Sequence, residues 1–223
     1  LEFRRVLFRS SAGYAVIAIT GRPVGWSAPF AQSWPVDAIV AENGAVALLG
    51  QRKLYLQDAL TRQHNHTRMQ AVMQQVLRAV PGAQASHDSD GRETDIAIDH
   101  SEFHHLDEAQ IAQVVELMQN AGMNATVSSI HINGWFGTHN KLEGARWIVR
   151  ELFQRDLDAE RDAWAYVGDS TNDQLMFAHF ANSVGVANIQ RFVPTLQHLP
   201  RYITASERGT GFHEVAQAML ASR

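Results

Sequence analysis

The chain contains no cysteine, which excludes disulfides, thiolate metal sites and a cysteine nucleophile. That absence fits a reducing compartment, and with no secretion signal in the sequence the cytoplasm is the expected location. Long apolar runs are also lacking: none approaches the roughly 20 residues that cross a bilayer, so no membrane partner is expected. Neither sign of charge dominates. The 19 Lys and Arg against 23 Asp and Glu give a formal net charge of -4, too little positive field to hold a nucleic-acid backbone. No Gly-x-Gly-x-x-Gly follows a strand-like run, which argues against a dinucleotide-binding domain. The 11 histidines include His64, His66, His104 and His105, none with the helical spacing of a zinc site, and these read as surface residues. What is present is an ordinary globular composition, 45% hydrophobic and 19% charged over 223 residues, enough for one large domain or two small ones.

The opening Leu1 to Ser10 sets Arg4, Arg5 and Arg9 among scattered apolar residues, without a methionine start. It reads as a non-native leader and is set aside in reasoning about the fold. Tyr14 to Ile19 is a β-rich apolar run ending at Thr20-Gly21-Arg22-Pro23, a buried strand leading into a turn. Val36 to Val40 is a second such run, closed by Glu42-Asn43-Gly44, and Trp26 to Trp34 between them can form a short helix. Met69, Val72, Met73, Val76, Leu77 and Val80 share one helical face, ended by Pro81-Gly82. Alternation from Glu93 to Asp99 predicts a half-buried strand, and Asp107 caps a helix that stops at Gly122. Strands Ala125 to Ile130 and His131 to Trp135 precede a helix from Lys141 to Phe153, capped by Asn140 with Glu143 reaching back. The last third reads strand (Trp164 to Val167), helix (Asn172 to His179), strand (Ser183 to Val186), strand (Tyr202 to Thr204) and helix (Gly211 to Leu220). Strand–helix alternation at both ends implies an α/β core with a Rossmann-like parallel sheet, and the middle reads as an inserted α+β cap. The expected division is core over 11–47 and 138–223, with the cap over 48–137.

The most informative stretch is Trp164-Ala165-Tyr166-Val167-Gly168-Asp169-Ser170-Thr171-Asn172-Asp173, an apolar strand running into two carboxylates. Open α/β sheets bind ligands at such C-terminal strand ends. Carboxylates beside a hydroxyl and an amide are hard oxygen donors of the kind Mg²⁺ prefers, with waters and a substrate phosphate completing its shell. An alternative reading makes Thr171 and Gln174 a capping box, with Asp169 and Asp173 merely favouring the positive end of the helix. A second element is the Thr20-Gly21-Arg22-Pro23 turn, whose hydroxyl and loosened backbone can donate to a phosphate. Lys141 at a helix start is the third. A cation there opposes the helix dipole unless an anion joins it, and a solvated surface lysine is the alternative.

Together and in this order the three elements resemble the haloacid dehalogenase (HAD) superfamily of phosphohydrolases. Motif two of that family is matched by Thr20, motif three by Lys141, and motif four by Gly168-Asp169-Ser170-Thr171-Asn172-Asp173. Thr20-Gly21-Arg22-Pro23, Glu42-Asn43-Gly44-Ala45 and Ser128-Ser129-Ile130-His131-Ile132-Asn133 resemble the type IIB cap subclass. That subclass contains sucrose-phosphate phosphatases, mannosyl-3-phosphoglycerate phosphatases and phosphomannomutases. The resemblance covers Ser11 to the C-terminus. It implies a HAD-type core with a type IIB cap and a Mg²⁺-dependent phosphatase working through an aspartyl phosphate. The substrate implied is a small phosphorylated metabolite, a sugar phosphate foremost. Thr20 and Lys141 would hold the transferring oxygens; Asp169, Asp173 and Ser170 would hold the metal or its waters. Gly21, Arg22, Asn43 and Asn172 are the expected substrate contacts of the core. On the cap, Arg92, Glu93, Ser129, His131, Asn133 and Trp135 offer groups for a leaving group, a Trp face suiting a sugar ring.

The family opens with an apolar strand and Asp-x-Asp, which supply nucleophile and general acid/base ahead of motif two. Here only the leader stands there. Asp88-Ser89-Asp90 has the right letters but follows no buried strand and falls in the cap; Asp156-Leu157-Asp158 follows a helix among charged residues. The chain therefore reads as truncated, and since the family's first strand lies mid-sheet, the expectation is poor stability and no turnover. A non-catalytic phosphate or sugar binder and a phosphomutase are the competing functions, and the sequence leaves the oligomeric state open.

Overall fold

The computed structural model describes residues 13–221; the expected leader lies outside them. β1 (Ile17–Ile19) leads through the Thr20-Gly21-Arg22 turn into α1 (Val24–Ser33), and the chain returns as β2 (Ala38–Ala41), parallel to β1 with Ala18 opposite Ile39. A left-handed turn at Glu42–Gly44 reverses it into β3 (Val46–Leu49), and Gly50, at φ 60°, makes the tight turn into β4 (Arg52–Tyr55). This hairpin extends the core sheet in the order β1-β2-β3-β4. The expected cap boundary at 48 thus falls inside a core strand, and the chain leaves the sheet only after Tyr55.

The cap is built from α2 (Ala59–Ala79), β5 (Gln84–Ala85), β6 (Ile96–Asp99), α3 (Glu108–Asn120), β7 (Asn124–Val127) and β8 (His131–Trp135). Its sheet runs in the order β5-β6-β8-β7, every pairing antiparallel. The sequence placed α2 by its apolar face alone. The helix starts earlier because the Asp58 carboxylate accepts the Thr61 amide at 2.9 Å, an N-cap ahead of two polar turns. The Asp107 cap of α3 is a full capping box with Gln110. β6 is buried along its whole length instead of on one side, because helices cover one face and the core junction the other.

The chain re-enters the core as α4 (Lys141–Phe153), followed by β9 (Ala165–Gly168), the short α5 (Gln174–His179), β10 (Asn182–Gly185), β11 (Tyr202–Ile203) and α6 (Arg208–Ala221). These strands form a second core sheet, β11-β10-β9, parallel throughout, whereas the first is mixed: β1 and β2 run parallel as expected, but β2-β3 and β3-β4 pair antiparallel. α4 opens at its Asn140 cap, which accepts the amides of Leu142 and Glu143; Glu143 itself turns to Arg146 rather than back to the cap.

β1 and β9 are the edge strands of the two core sheets, and they face each other across an apolar cleft of about 470 Å³. α4 spans both sheets on one face, with Val149 packing against Ile17 of β1 and Tyr166 of β9 in one cluster. Phe212 and Met219 of α6 line the cleft as well, and the Tyr14 hydroxyl donates to the Met219 carbonyl at 2.9 Å. Both strands point their C-terminal ends at the same polar pocket. No helix among the described residues is long and apolar enough to cross a membrane.

Candidate active site

That pocket, of about 270 Å³, lies where β1, β9 and the cap loop between β7 and β8 meet. Thr20 ends β1, and its Oγ1 accepts the Arg22 amide at 3.0 Å, which leaves the hydroxyl proton free to donate into the pocket. The turn is held from behind: the Asn43 and Glu42 amides donate to the carbonyls of Thr20 and Arg22 at 3.0 and 3.1 Å. Lys141 reaches in from the first turn of α4. Its Nζ lies 2.6 Å from Asp173 Oδ1 and 3.0 Å from Asn172 Oδ1.

Asp173 is buried and saturated. It accepts from Lys141, from the Tyr166 hydroxyl at 2.6 Å, and from the Asp169 and Ser170 amides at 2.9 and 3.1 Å. Burial works against its charge, yet the Lys141 ammonium, Tyr166 and the amides together hold its carboxyl below the ordinary value. Burial, and then the Asp173 charge, push the Tyr166 phenol well above its usual range, so it stays a donor. The capping box at this turn uses Ser170 and Asp173, not Thr171 and Gln174; the Thr171 hydroxyl instead bonds the Val127 carbonyl of the cap at 2.8 Å.

Of the expected metal ligands, only Asp169 fits. Its carboxylate is exposed at the pocket, with Oδ2 accepting from Asn188 at 3.1 Å. Asp173 has no oxygen to spare, and the Ser170 hydroxyl donates to Asn172. Among the described residues no group of three or more His, Asp and Glu converges on a metal-sized space. The donor set therefore suits a Mg²⁺ held by one carboxylate, with waters and a phosphate oxygen completing its shell.

The cap closes over this site through ion pairs. Arg22 bonds Asp88 at 3.0 Å and Glu102 at 2.8 Å, and Glu102 lies 2.8 Å from His131 Nε2. Burial pulls the His131 imidazole below its ordinary value although Asp88 and Glu102 favour its charge. Behind them Arg92 bonds Asp88, Asp95 and the Gly21 carbonyl. Burial lifts the Asp95 carboxyl to about 7 against the pull of Arg92.

The pocket thus brings together Thr20, Gly21, Arg22, Ser129, His131, Asn133, Lys141, Asp169, Ser170, Asn172 and Asp173. Asn43 and Arg92 are not in it: both are buried behind the Thr20 turn. Glu93 bonds Lys53 and Tyr55 of β4, and Trp135 is buried against His139, its indole donating to the His139 carbonyl, so it presents no face to a sugar. Asp88 is tied to two arginines and Asp158 pairs with Arg146, neither at the end of a strand in the pocket. Sequence reasoning missed Tyr166, Ser128 and Glu102. Only Tyr166 carried a signal, since a phenol in a buried strand needs an acceptor.

The architecture is that of a HAD-like fold: an α/β core whose β1-β2 and β9-β10-β11 pairings are parallel, an inserted α+β cap, and the pocket at their junction. No family model matches the sequence, and no curated protein does either. Solved structures do. A protein of Thermoplasma acidophilum matches at TM-score 0.73 and 12% identity, over 97% of this chain and 87% of that one. The sucrose-phosphatase of Synechocystis sp. PCC6803, solved with sucrose and phosphate, matches at TM-score 0.69 and 14% identity, covering 97% and 88%. The HAD subclass IIB sugar phosphatase BT4131 matches at TM-score 0.65 and 14% identity, covering 97% and 89%. At these identities the likeness establishes the fold.

Proposed function

We propose that the protein is a HAD-type phosphatase of a small phosphorylated metabolite, a sugar phosphate foremost, and that residues 13–221 carry the phosphate-holding part of its site. The observation that carries this reading is the convergence of Thr20, Lys141 and Asp169 on one polar pocket at the C-terminal ends of β1 and β9. The Thr20 hydroxyl donates to a phosphate oxygen, and Lys141, fixed by Asp173, offsets charge on the transferring group. Mg²⁺ on Asp169 would add charge neutralisation at the phosphate. Arg22, His131 and Asn133, on the pocket wall shared with the cap, face the leaving group. The neighbours named for sucrose-phosphatase and sugar phosphatase activity support the substrate class.

No carboxylate among the described residues stands as a nucleophile in the pocket. The reading places it on a further strand between β1 and β9, where the apolar cleft opens toward the site. The same observation favours, as second reading, a protein that holds phosphate and never transfers it.

The test measures phosphate release from a panel of sugar phosphates by this chain and by the chain extended upstream with an apolar strand ending in Asp-x-Asp. Turnover in the extended protein alone supports the phosphatase. Phosphate binding without turnover in both leaves the binder, and absence of phosphate binding in both overturns the reading.

A further inference from the structure

Behind the pocket lies a carboxylate that neither reading uses. Glu42 is completely buried, and its carboxylate accepts from three backbone amides and one hydroxyl. Oε1 accepts the Val24 amide at the start of α1, at 2.9 Å, and the Glu93 amide at 3.0 Å. Oε2 accepts the Thr94 amide at 2.6 Å and the Thr94 hydroxyl at 2.5 Å. Glu93 and Thr94 belong to the cap segment leading into β6, so one core side chain clasps the cap backbone.

The backbone carrying Glu42 is strained. Glu42, Asn43 and Gly44 take φ of 49°, 57° and 111° in succession, and non-glycine residues keep such values only where the surroundings enforce them. The enforced turn touches three parts of the site. Its amides grip the Thr20 and Arg22 carbonyls. Gly44 meets the Asn140 carbonyl and the Gly144 backbone of α4 so closely that a Cβ would collide, which sets the start of the helix bearing Lys141. The Glu42 side chain holds the cap.

From this juxtaposition we infer that Glu42 is a positioning residue: the phosphate turn and Lys141 take their working places only while Glu42 is seated on the cap segment Glu93–Thr94. The contents of the site and the seating of the cap are then coupled, because the same turn bonds the Thr20 loop, the start of α4 and the cap segment. The consequence for phosphate rests on the phosphatase reading; the coupling itself does not.

The test compares Glu42→Gln with Val114→Ala, a cap-core substitution far from the turn, chosen to lower the melting temperature similarly. The Gln amide turns N–H groups toward donors that the carboxylate accepted. Amide exchange in Glu42→Gln is expected to accelerate about tenfold or more not only at Val24, Glu93 and Thr94 but also at Asn43 and Gly144, whose bonds do not involve the Glu42 side chain. Val114→Ala should leave Asn43 and Gly144 unchanged. Inorganic phosphate, titrated with Mg²⁺, should bind about tenfold more weakly to Glu42→Gln and normally to Val114→Ala. If acceleration stays confined to Val24, Glu93 and Thr94, or appears equally in Val114→Ala, Glu42 is structural only and the inference is wrong. If exchange couples as expected while the unsubstituted protein binds no phosphate, the positioning role stands and the phosphatase reading fails.

Discussion

The cap and the core solve the same packing problem differently. The cap closes one continuous apolar cluster, from Met69 and Val76 on α2 through Ile98 and Ile132 on its sheet to Val114 and Met118 on α3. The core divides its buried residues among several smaller clusters and splits its strands into two sheets. The difference teaches where stability and chemistry live. The cap is a self-contained α+β layer, whereas the core places its polar residues at the mouth between two sheets that, among the described residues, α4 and α6 bridge, with an apolar cleft behind.

The sharpest way to break this comparison is amide exchange. Ile98 and Ile132 in the paired centre of the cap sheet should exchange at least about a hundredfold more slowly than Ile17 and Val167 at the cleft. Equal protection would mean that the core sheets are joined in solution. Asp173→Ala removes the charged partner of the part-buried Lys141 ammonium and should cost about 1.5–3 kcal/mol in core stability by chemical denaturation, with phosphate binding lost. A value under about 1 kcal/mol would show that Lys141 reaches water on its own. Ile132→Ala, in the cap alone, should cost about 2–4 kcal/mol and leave phosphate affinity unchanged. Weakened phosphate binding would show that the packing of the cap core, and not only the Glu42 seat at the junction, sets the site.

The smallest effect concerns the junction. Burial alone pulls the His139 imidazole down to about 4, and neither ring nitrogen has a partner. In the unfolded chain histidine takes its proton near pH 6.5. Between these values the unfolded state binds more protons, so this contribution is complete above about pH 6.5 and is lost as the pH falls toward 4. Denaturant midpoints across that range should fall less steeply in His139→Leu; an unchanged slope would remove His139 from the acid response.

These contrasts also show which features were legible in the sequence. The helix caps at Asp107 and Asn140, the parallel β1–β2 pair and the Gly168–Asp173 turn each rest on signals a few residues long. The β3–β4 hairpin was missed because Leu49-Gly50-Gln51-Arg52 mixes one turn residue with polar strand residues. Asp173 was read as a metal ligand because spacing reports which groups are near, while only the fold reveals that Lys141, Tyr166 and two amides already occupy its oxygens. Arg92 and Asn43 were placed in the pocket for the same reason. Their partners Asp95 and Gly21 are set by how the cap meets the core, which no local pattern encodes.

The central claim is that this pocket holds phosphate through Lys141. Titration of inorganic phosphate followed by ³¹P NMR, with the protein and with Lys141→Met at matched foldedness, tests it most directly. Saturable broadening that disappears in the variant is the expected result; equal binding in both proteins, or none in either, would rule out phosphate held through Lys141.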